Sequence, residues 1–218
     1  MPDSLKFTPA AGRFMPTSAY DLLLALLTRE STWRAKLLEA LAPRPGERIL
    51  DVGSGTGSFA ILVKQSEPQS IVVGLDPDPE ARRIAAAKAK FAGVEIEWMP
   101  GFARDAATFG QFDIVVSSLV FHQVPLKEKR AGLEAMFKAT KPDGRVLIAD
   151  YAEQQSWLMR QAFKIVQSAD GRTNTQPNAD GFLEQELGRI CGGPQTAAWS
   201  LDTPTGTISI FSAVPASR

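Results

Sequence analysis

The side chains that carry most covalent and metal chemistry are nearly missing from this chain. It has one cysteine, Cys191, and one histidine, His122. A lone thiol excludes an internal disulfide and suits a reducing cytoplasm. The two residues stand far apart and no other His/Cys/Asp group has metal-ligand spacing, so no metal site is expected. Neither sign of charge is in excess: 24 lysines and arginines meet 24 aspartates and glutamates. Holding nucleic acid by bulk charge needs a basic footprint, and the balance here argues against that partner. Long apolar runs are missing too. Leu22–Leu27, the longest near the start, is far short of the ~20 residues that span a bilayer. The opening MPDSLKFTPAAG lacks the charged start and apolar run of a signal peptide. Repeats and low-complexity tracts are absent. The 218 residues fit one large domain with a small appendage.

What is present is a glycine-rich turn in a telling place. In RILDVGSGTGSFA, Ile49, Leu50 and Val52 read as the end of a buried strand, and Phe59–Val63 as the start of a helix. Gly53, Ser54, Gly55, Thr56 and Gly57 between them leave the backbone almost bare. A strand feeding through such a turn into a helix aims N–H groups at a ligand.

The rest of the chain repeats the alternation. Residues 1–45 read as a helical preface or lid, with helices over Ser18–Thr28 and Thr32–Leu41, and residues 46–218 as the core domain. Strands are expected at Arg48–Val52, Ile71–Leu75, Val94–Met99, Phe112–Ser117 and Arg145–Ala149. Asp78, Pro79 and Glu80 form a strong helix start, and Arg82, Arg83, Lys88 and Lys90 read as that helix's solvated face. A long helix is expected over Glu153–Ser168, a polar loop over Gly171–Asn178 and a helix over Asp180–Ile190. Ala197–Leu201 and Thr207–Val214 are then joined by the five residues Asp202–Gly206, which suits an antiparallel pair. Strand–helix alternation means parallel strands with right-handed crossovers. The expected fold is therefore α/β, a Rossmann-like, doubly wound, seven-stranded sheet, mostly parallel, ending in an antiparallel hairpin.

Ligands of such sheets bind beyond the carboxyl ends of the strands. Four groups fall there: the glycine turn, Asp76 after the second strand, Gly101–Phe102–Ala103 after the third, and Ser117–Gln123 after the fourth. Gly55-x-Gly57-x-x-Ala60 with Asp76 satisfies the loose dinucleotide fingerprint, so a NAD-binding oxidoreductase stays open on these residues alone. Asp51-x-Gly53-x-Gly55-x-Gly57 together with the closing hairpin is the more specific combination.

That combination resembles the class I S-adenosylmethionine-dependent methyltransferases. ILDVGSGTGSFA is similar to that family's glycine motif, GLDPDPE to its ribose-binding motif, and FDIVVSSLVFHQVP to its segment after strand four. KPDGRVLIADY is similar to the corresponding stretch of the branch that includes ubiquinone/menaquinone-type methyltransferases. The resemblance implies S-adenosylmethionine as cofactor, S-adenosylhomocysteine as product and a small-molecule acceptor. It implies that Gly53, Ser54, Gly55 and Gly57 lie against the methionine part and ribose. Asp51 would face the cofactor ammonium, Asp76 the ribose hydroxyls, Pro77 the adenine, and Ser118 the methionine end. The family often has Gly-Asp-Ala where Gly101–Phe102–Ala103 stands, so Phe102 and Ala103, or Asp105 one turn on, would meet the base. Past the fourth strand, His122 is the candidate base for a nucleophile that must lose a proton. Phe14, Tyr20, Trp33, Tyr151 and Trp157 are the candidate acceptor contacts. The Asp-Pro-Pro-Tyr segment typical of amino-group methylation of nucleic acids is absent. A catalytically idle scaffold that keeps the fold is the remaining alternative.

Overall fold

The computed structural model describes residues 28–215. The expected helix over Ser18–Thr28 lies outside them except for Thr28, as do Phe14 and Tyr20. Helix α1 (Glu30–Leu41) buries Trp33, Leu37 and Leu41; Leu38, expected on the same stripe, is partly buried beside them. It leads into strand β1 (Arg48–Val52), followed by α2 (Ser58–Ser66), β2 (Ile71–Asp76), α3 (Pro79–Phe91) and β3 (Glu97–Pro100). A 3₁₀ stretch over Ala103–Phe109 precedes β4 (Phe112–Ser118). A second over Phe121–Gln123 precedes α4 (Leu126–Ala139) and β5 (Thr140–Tyr151). The chain ends with α5 (Trp157–Asp170), α6 (Arg172–Ala179), α7 (Phe182–Cys191), β6 (Trp199–Thr203) and β7 (Gly206–Ala213).

The seven strands form one sheet in the order β3-β2-β1-β4-β5-β7-β6. Strands β1 to β5 pair in parallel, and β7 joins antiparallel to both β5 and β6. The period of two within each strand splits the core into two layers. Leu50, Val52, Val115 and Val146 face Leu133 and Met136 of α4 and Leu183 and Leu187 of α7. Ile49, Ile114, Val116 and Leu147 face Trp33 and Leu37 of α1, Phe59 and Val63 of α2 and Phe163 of α5. Strand order reverses between β1 and β4, and that is where a crevice opens at the carboxyl edge.

Several elements differ from the sequence reading. The third strand begins at Glu97 rather than Val94. The fifth strand, expected over Arg145–Ala149, begins at Thr140 and takes in Pro142–Gly144, bulged so that the register passes from Phe112↔Thr140 to Ile114↔Arg145. Asp113 holds the bulge, ion-paired to Lys141 at 2.7 Å while accepting from the Arg48 amide at 2.8 Å. The hairpin link is two residues, Pro204 and Thr205, because Thr203 pairs directly with Gly206. The Thr203 hydroxyl fills the turn, donating to the Gly206 carbonyl at 2.7 Å and accepting from the Thr205 amide at 3.2 Å. The polar loop expected over Gly171–Asn178 is instead helix α6. Its inward residues are Thr175, Asn178 and Ala179, so polar side chains fill the positions where apolar ones would have announced a helix.

Candidate active site

The turn after β1 forms one wall of a cavity of about 340 Å³, a size typical of small-molecule sites. Gly53, Ser54, Gly55, Thr56 and Ser58 line it together with Asp76, Pro77 and Asp78 from the β2 edge. Two glycines of the turn do different work. A side chain on Gly55 would meet nothing within 4 Å, so its backbone is bare toward open space. A Cβ on Gly57 would stand 2.5 Å from Trp98 and 2.8 Å from Ala85. Gly57 therefore serves the packing of α2 on α3 and β3 rather than the cavity, which it does not line.

The Asp76 carboxylate is fixed by backbone amides, accepting from Gly55 at 2.7 Å and Asp78 at 2.9 Å. Burial raises its carboxyl above the ordinary value, opposed by these two amides. Asp78 caps α3 as expected, accepting from the Glu80 amide at 2.8 Å. The basic residues of α3 are not all solvated: Arg82 donates to the Asp76 carbonyl at 2.5 Å and Lys88 to the Thr56 hydroxyl at 2.8 Å.

Asp51 lies beneath the turn, 2% exposed. Neither carboxylate oxygen has a hydrogen-bond partner among the described residues. Burial lifts its carboxyl from 3.8 to about 7; Asp76 adds to the rise, while Arg34 and the Ala60 amide work against it. Ser54 Oγ and Arg34 Nε are also buried without a partner among the described residues. Arg34, from α1, lines the cavity and is ion-paired with Glu30. Asp51 lies behind the turn and does not itself line the cavity, whereas Arg34 does. An unmatched buried carboxylate beneath the turn and an unmatched guanidinium N–H at the wall fit a ligand that carries both signs of charge.

At the opposite end, Phe102, Ala103, Arg104 and Glu128 line the cavity. The Arg104 guanidinium lies 4.3 Å above the Phe102 ring and donates to Glu128 at 2.5 Å. The Asp105 carboxylate accepts from the Phe102 amide at 2.9 Å and so caps its own 3₁₀ turn. The remaining wall is Ser118, Leu119, Val120, Gln123 and Val124 after β4, with Asn174 from α6.

The other sequence candidates stand elsewhere. His122 is buried and does not line the cavity. Its Nδ1 is 2.7 Å from Asp150 and its Nε2 3.4 Å from Asp170. Burial alone would lower its pKa, but the two carboxylates raise it to about 9. Both ring nitrogens thus face carboxylates rather than the cavity. Trp33 and Tyr151 are core residues at 1% and 3% exposure. Tyr151 stacks edge-on against His122 and bonds the Thr205 hydroxyl at 2.7 Å. Trp157 points to solvent at 74% exposure. None of the three lines the cavity. The sequence reading missed Arg34, Arg104, Glu128 and Asn174. Arg34 was within reach, as a cation next to the apolar stripe of its helix; the other three carry no local signal.

Among the described residues, no group of three His, Cys, Asp or Glu could hold a metal ion. No helix among them is long and apolar enough to cross a membrane.

A family model described as a methyltransferase domain matches residues 49–144. Among curated proteins, the chain is 32% identical over 136 residues to a demethylmenaquinone methyltransferase of Thermus thermophilus, covering 61% of this chain and 60% of that protein. It is 34% identical over 128 residues to the ribosomal protein L11 methyltransferase of the same species, covering 57% of this chain and 47% of that protein. The chain thus spans about half to three fifths of the length of these relatives. Among solved structures, magnesium protoporphyrin IX methyltransferase from Synechocystis, with SAH bound, superposes with a TM-score of 0.64. The identity is 19%, covering 94% of this chain and 90% of that one. That likeness establishes a shared fold.

Proposed function

We propose, from the chain's membership of the class I S-adenosylmethionine-dependent methyltransferase family, that it transfers a methyl group from S-adenosylmethionine to a small-molecule acceptor by in-line displacement. The observation that carries this reading is the cavity over the glycine turn with the Asp51 carboxylate buried and unmatched beneath it. The bound cofactor supplies a methyl group already activated on a sulfonium. The chain's own residues then have to bind, orient and exclude water, and orientation alone can be worth ~7–11 kcal/mol.

Asp51 and Arg34 face the amino and carboxylate groups of the methionine end, the charges their unpartnered atoms call for. The Asp76 oxygens, each with one lone pair used by an amide, accept the ribose hydroxyls. Pro77, Phe102 and Ala103 form the apolar bed of the base, with Arg104 and Glu128 at its rim. Ser118, Leu119 and Val120 bound the side from which the acceptor approaches, and Gly57 supports the turn from behind. His122 takes no part in proton transfer in this reading. The preface reading of residues 1–45 is supported, within their described part, by Arg34 reaching the cavity from α1. The quinone-type relative favours a largely apolar or aromatic small molecule as acceptor, and the balanced charge gives no footing for nucleic acid. The lone thiol suits the cytoplasm.

Calorimetric titration with S-adenosylmethionine, S-adenosylhomocysteine and NAD, beside Asp76→Ala, tests the proposal. Micromolar binding of the first two, lost in the variant, is expected. Binding of NAD alone would overturn it.

A further inference from the structure

Behind the cavity wall that follows β4 lies a lysine with no access to water. Lys129 of α4 is fully buried, where lysine is almost never found unless paired. An ammonium has three protons to donate, and three acceptors surround this one: the Phe121 carbonyl, the His122 carbonyl at 3.2 Å and Asn178 Oδ1 at 2.5 Å. The same two residues, buried between the wall residues Val120 and Gln123, are held from their amide side by Asp150, which accepts from Phe121 at 2.6 Å and His122 at 3.4 Å. The wall is thus gripped between an ammonium and a carboxylate. It needs such a grip, because Leu119 stands at φ 54, a left-handed conformation that a branched side chain keeps only when its surroundings impose it.

The third acceptor carries the contact further. Asn178 belongs to α6 and donates to the Tyr151 carbonyl at 2.8 Å. One turn earlier in α6, Asn174 lines the cavity and donates to the Gln123 carbonyl at 3.0 Å. The β4 wall and α6 therefore share one buried cation. The ammonium meets Phe121, His122, Asn178 and the Phe182 ring, which belong neither to the glycine turn nor to the β2 edge at Asp76. An ammonium is an expensive way to fill that space: burial lowers its pKa to about 8, opposed by Asp150, and an apolar residue of similar length often serves stability as well.

We propose that Lys129 is a positioning residue for the acceptor half of the cavity, setting the Leu119–Gln123 wall and α6 as one unit. That the wall faces an acceptor rests on the methyltransferase reading; the coupling of the two segments does not.

The test compares the full chain with Lys129→Met, Asn178→Leu and the double variant by amide hydrogen exchange, beside calorimetry with S-adenosylhomocysteine. In Lys129→Met, exchange over residues 118–124 and 172–179 is expected to rise at least about tenfold together. Residues 53–60 should be unchanged and the S-adenosylhomocysteine Kd should stay within about threefold. Asn178→Leu should loosen both segments as well, and the double variant no more than Lys129→Met alone, the non-additivity expected of one coupled unit. Faster exchange spread evenly over the sheet, or loosening of one segment without the other, would overturn the proposal. Lys129→Gln, which keeps one donor group, gives the same comparison if Lys129→Met does not fold. If the wild-type chain binds no S-adenosylhomocysteine, the methyltransferase reading fails, while exchange in the unliganded chain still decides the coupling.

Discussion

Replacing Asp51 by asparagine isolates one charge with little change of shape. The carboxyl is displaced by burial from 3.8 to about 7, a difference of 7 − 3.8 = 3.2 pKa units. At ~1.4 kcal/mol per unit, the unliganded fold above pH 7 carries a cost of about 4 kcal/mol for keeping this group ionised. The sign follows from proton binding. A carboxyl raised in the folded state binds more protons there than in the unfolded chain, so its share of stability is greatest below pH 3.8 and falls as pH rises to 7. Asp51→Asn should therefore raise stability in urea at pH 8 by ~1–4 kcal/mol, the amide keeping part of the desolvation cost, with the gain fading toward pH 4. Binding should move the other way. A cofactor ammonium beside Asp51 favours the ionised form, so S-adenosylhomocysteine binding at pH 6 should release close to one proton. Calorimetry in two buffers of different ionisation enthalpy reads that number directly. The variant should release none and bind at least about tenfold more weakly. Equal affinity and equal proton release in the two proteins would refute the placement of Asp51 against the ammonium.

The glycine turn gives a paired prediction. Gly57→Ala drives a methyl group into Trp98 and Ala85 at a positive φ, so it should lower the thermal midpoint by several degrees. Gly55→Ala meets only open space and should cost ~1 kcal/mol of backbone strain yet weaken S-adenosylhomocysteine binding more than tenfold; the reverse ranking would contradict the geometry. For His122, raised from 6.5 to about 9, the stabilisation is fully present below pH 6.5 and lost as pH rises through 9. The difference of 9 − 6.5 = 2.5 units amounts to about 3 kcal/mol. His122→Asn should flatten the fall in stability over that window, and an unchanged pH profile would show that Asp150 and Asp170 do not hold it charged.

How much of this was legible beforehand depended on whether a residue's job shows in its neighbours along the chain. The strands, the turn and the α3 cap were readable because burial on two faces, bare backbone and a capping aspartate leave local patterns. Helix α6 was not, because its inward side is Thr175 and Asn178, whose burial is satisfied by Lys129, Tyr151 and the chain at Gly171. Aromatic residues misled for a related reason. Tyr151 ends β5 and Trp33 lies on the helix before β1, but size and apolarity drew both into the core. Proximity along the chain said nothing of which way Trp157 would point. His122 lies at the correct edge, yet the two carboxylates that occupy it come from β5 and α5, residues 28 and 48 further along, and no local spacing announces them.

Strand β7, although it follows β6 in the chain, is not at the rim of the sheet but between β5 and β6. During synthesis β5 waits with an unpaired row of amides and carbonyls until residues 206–213 leave the ribosome, and among the described strands β6 pairs with β7 alone. A nascent chain halted a few residues short would present a raw edge of the kind that recruits other chains. Residues 206–213 thus govern whether the newly made sheet closes on itself or recruits other chains, although they stand far in sequence from the glycine turn.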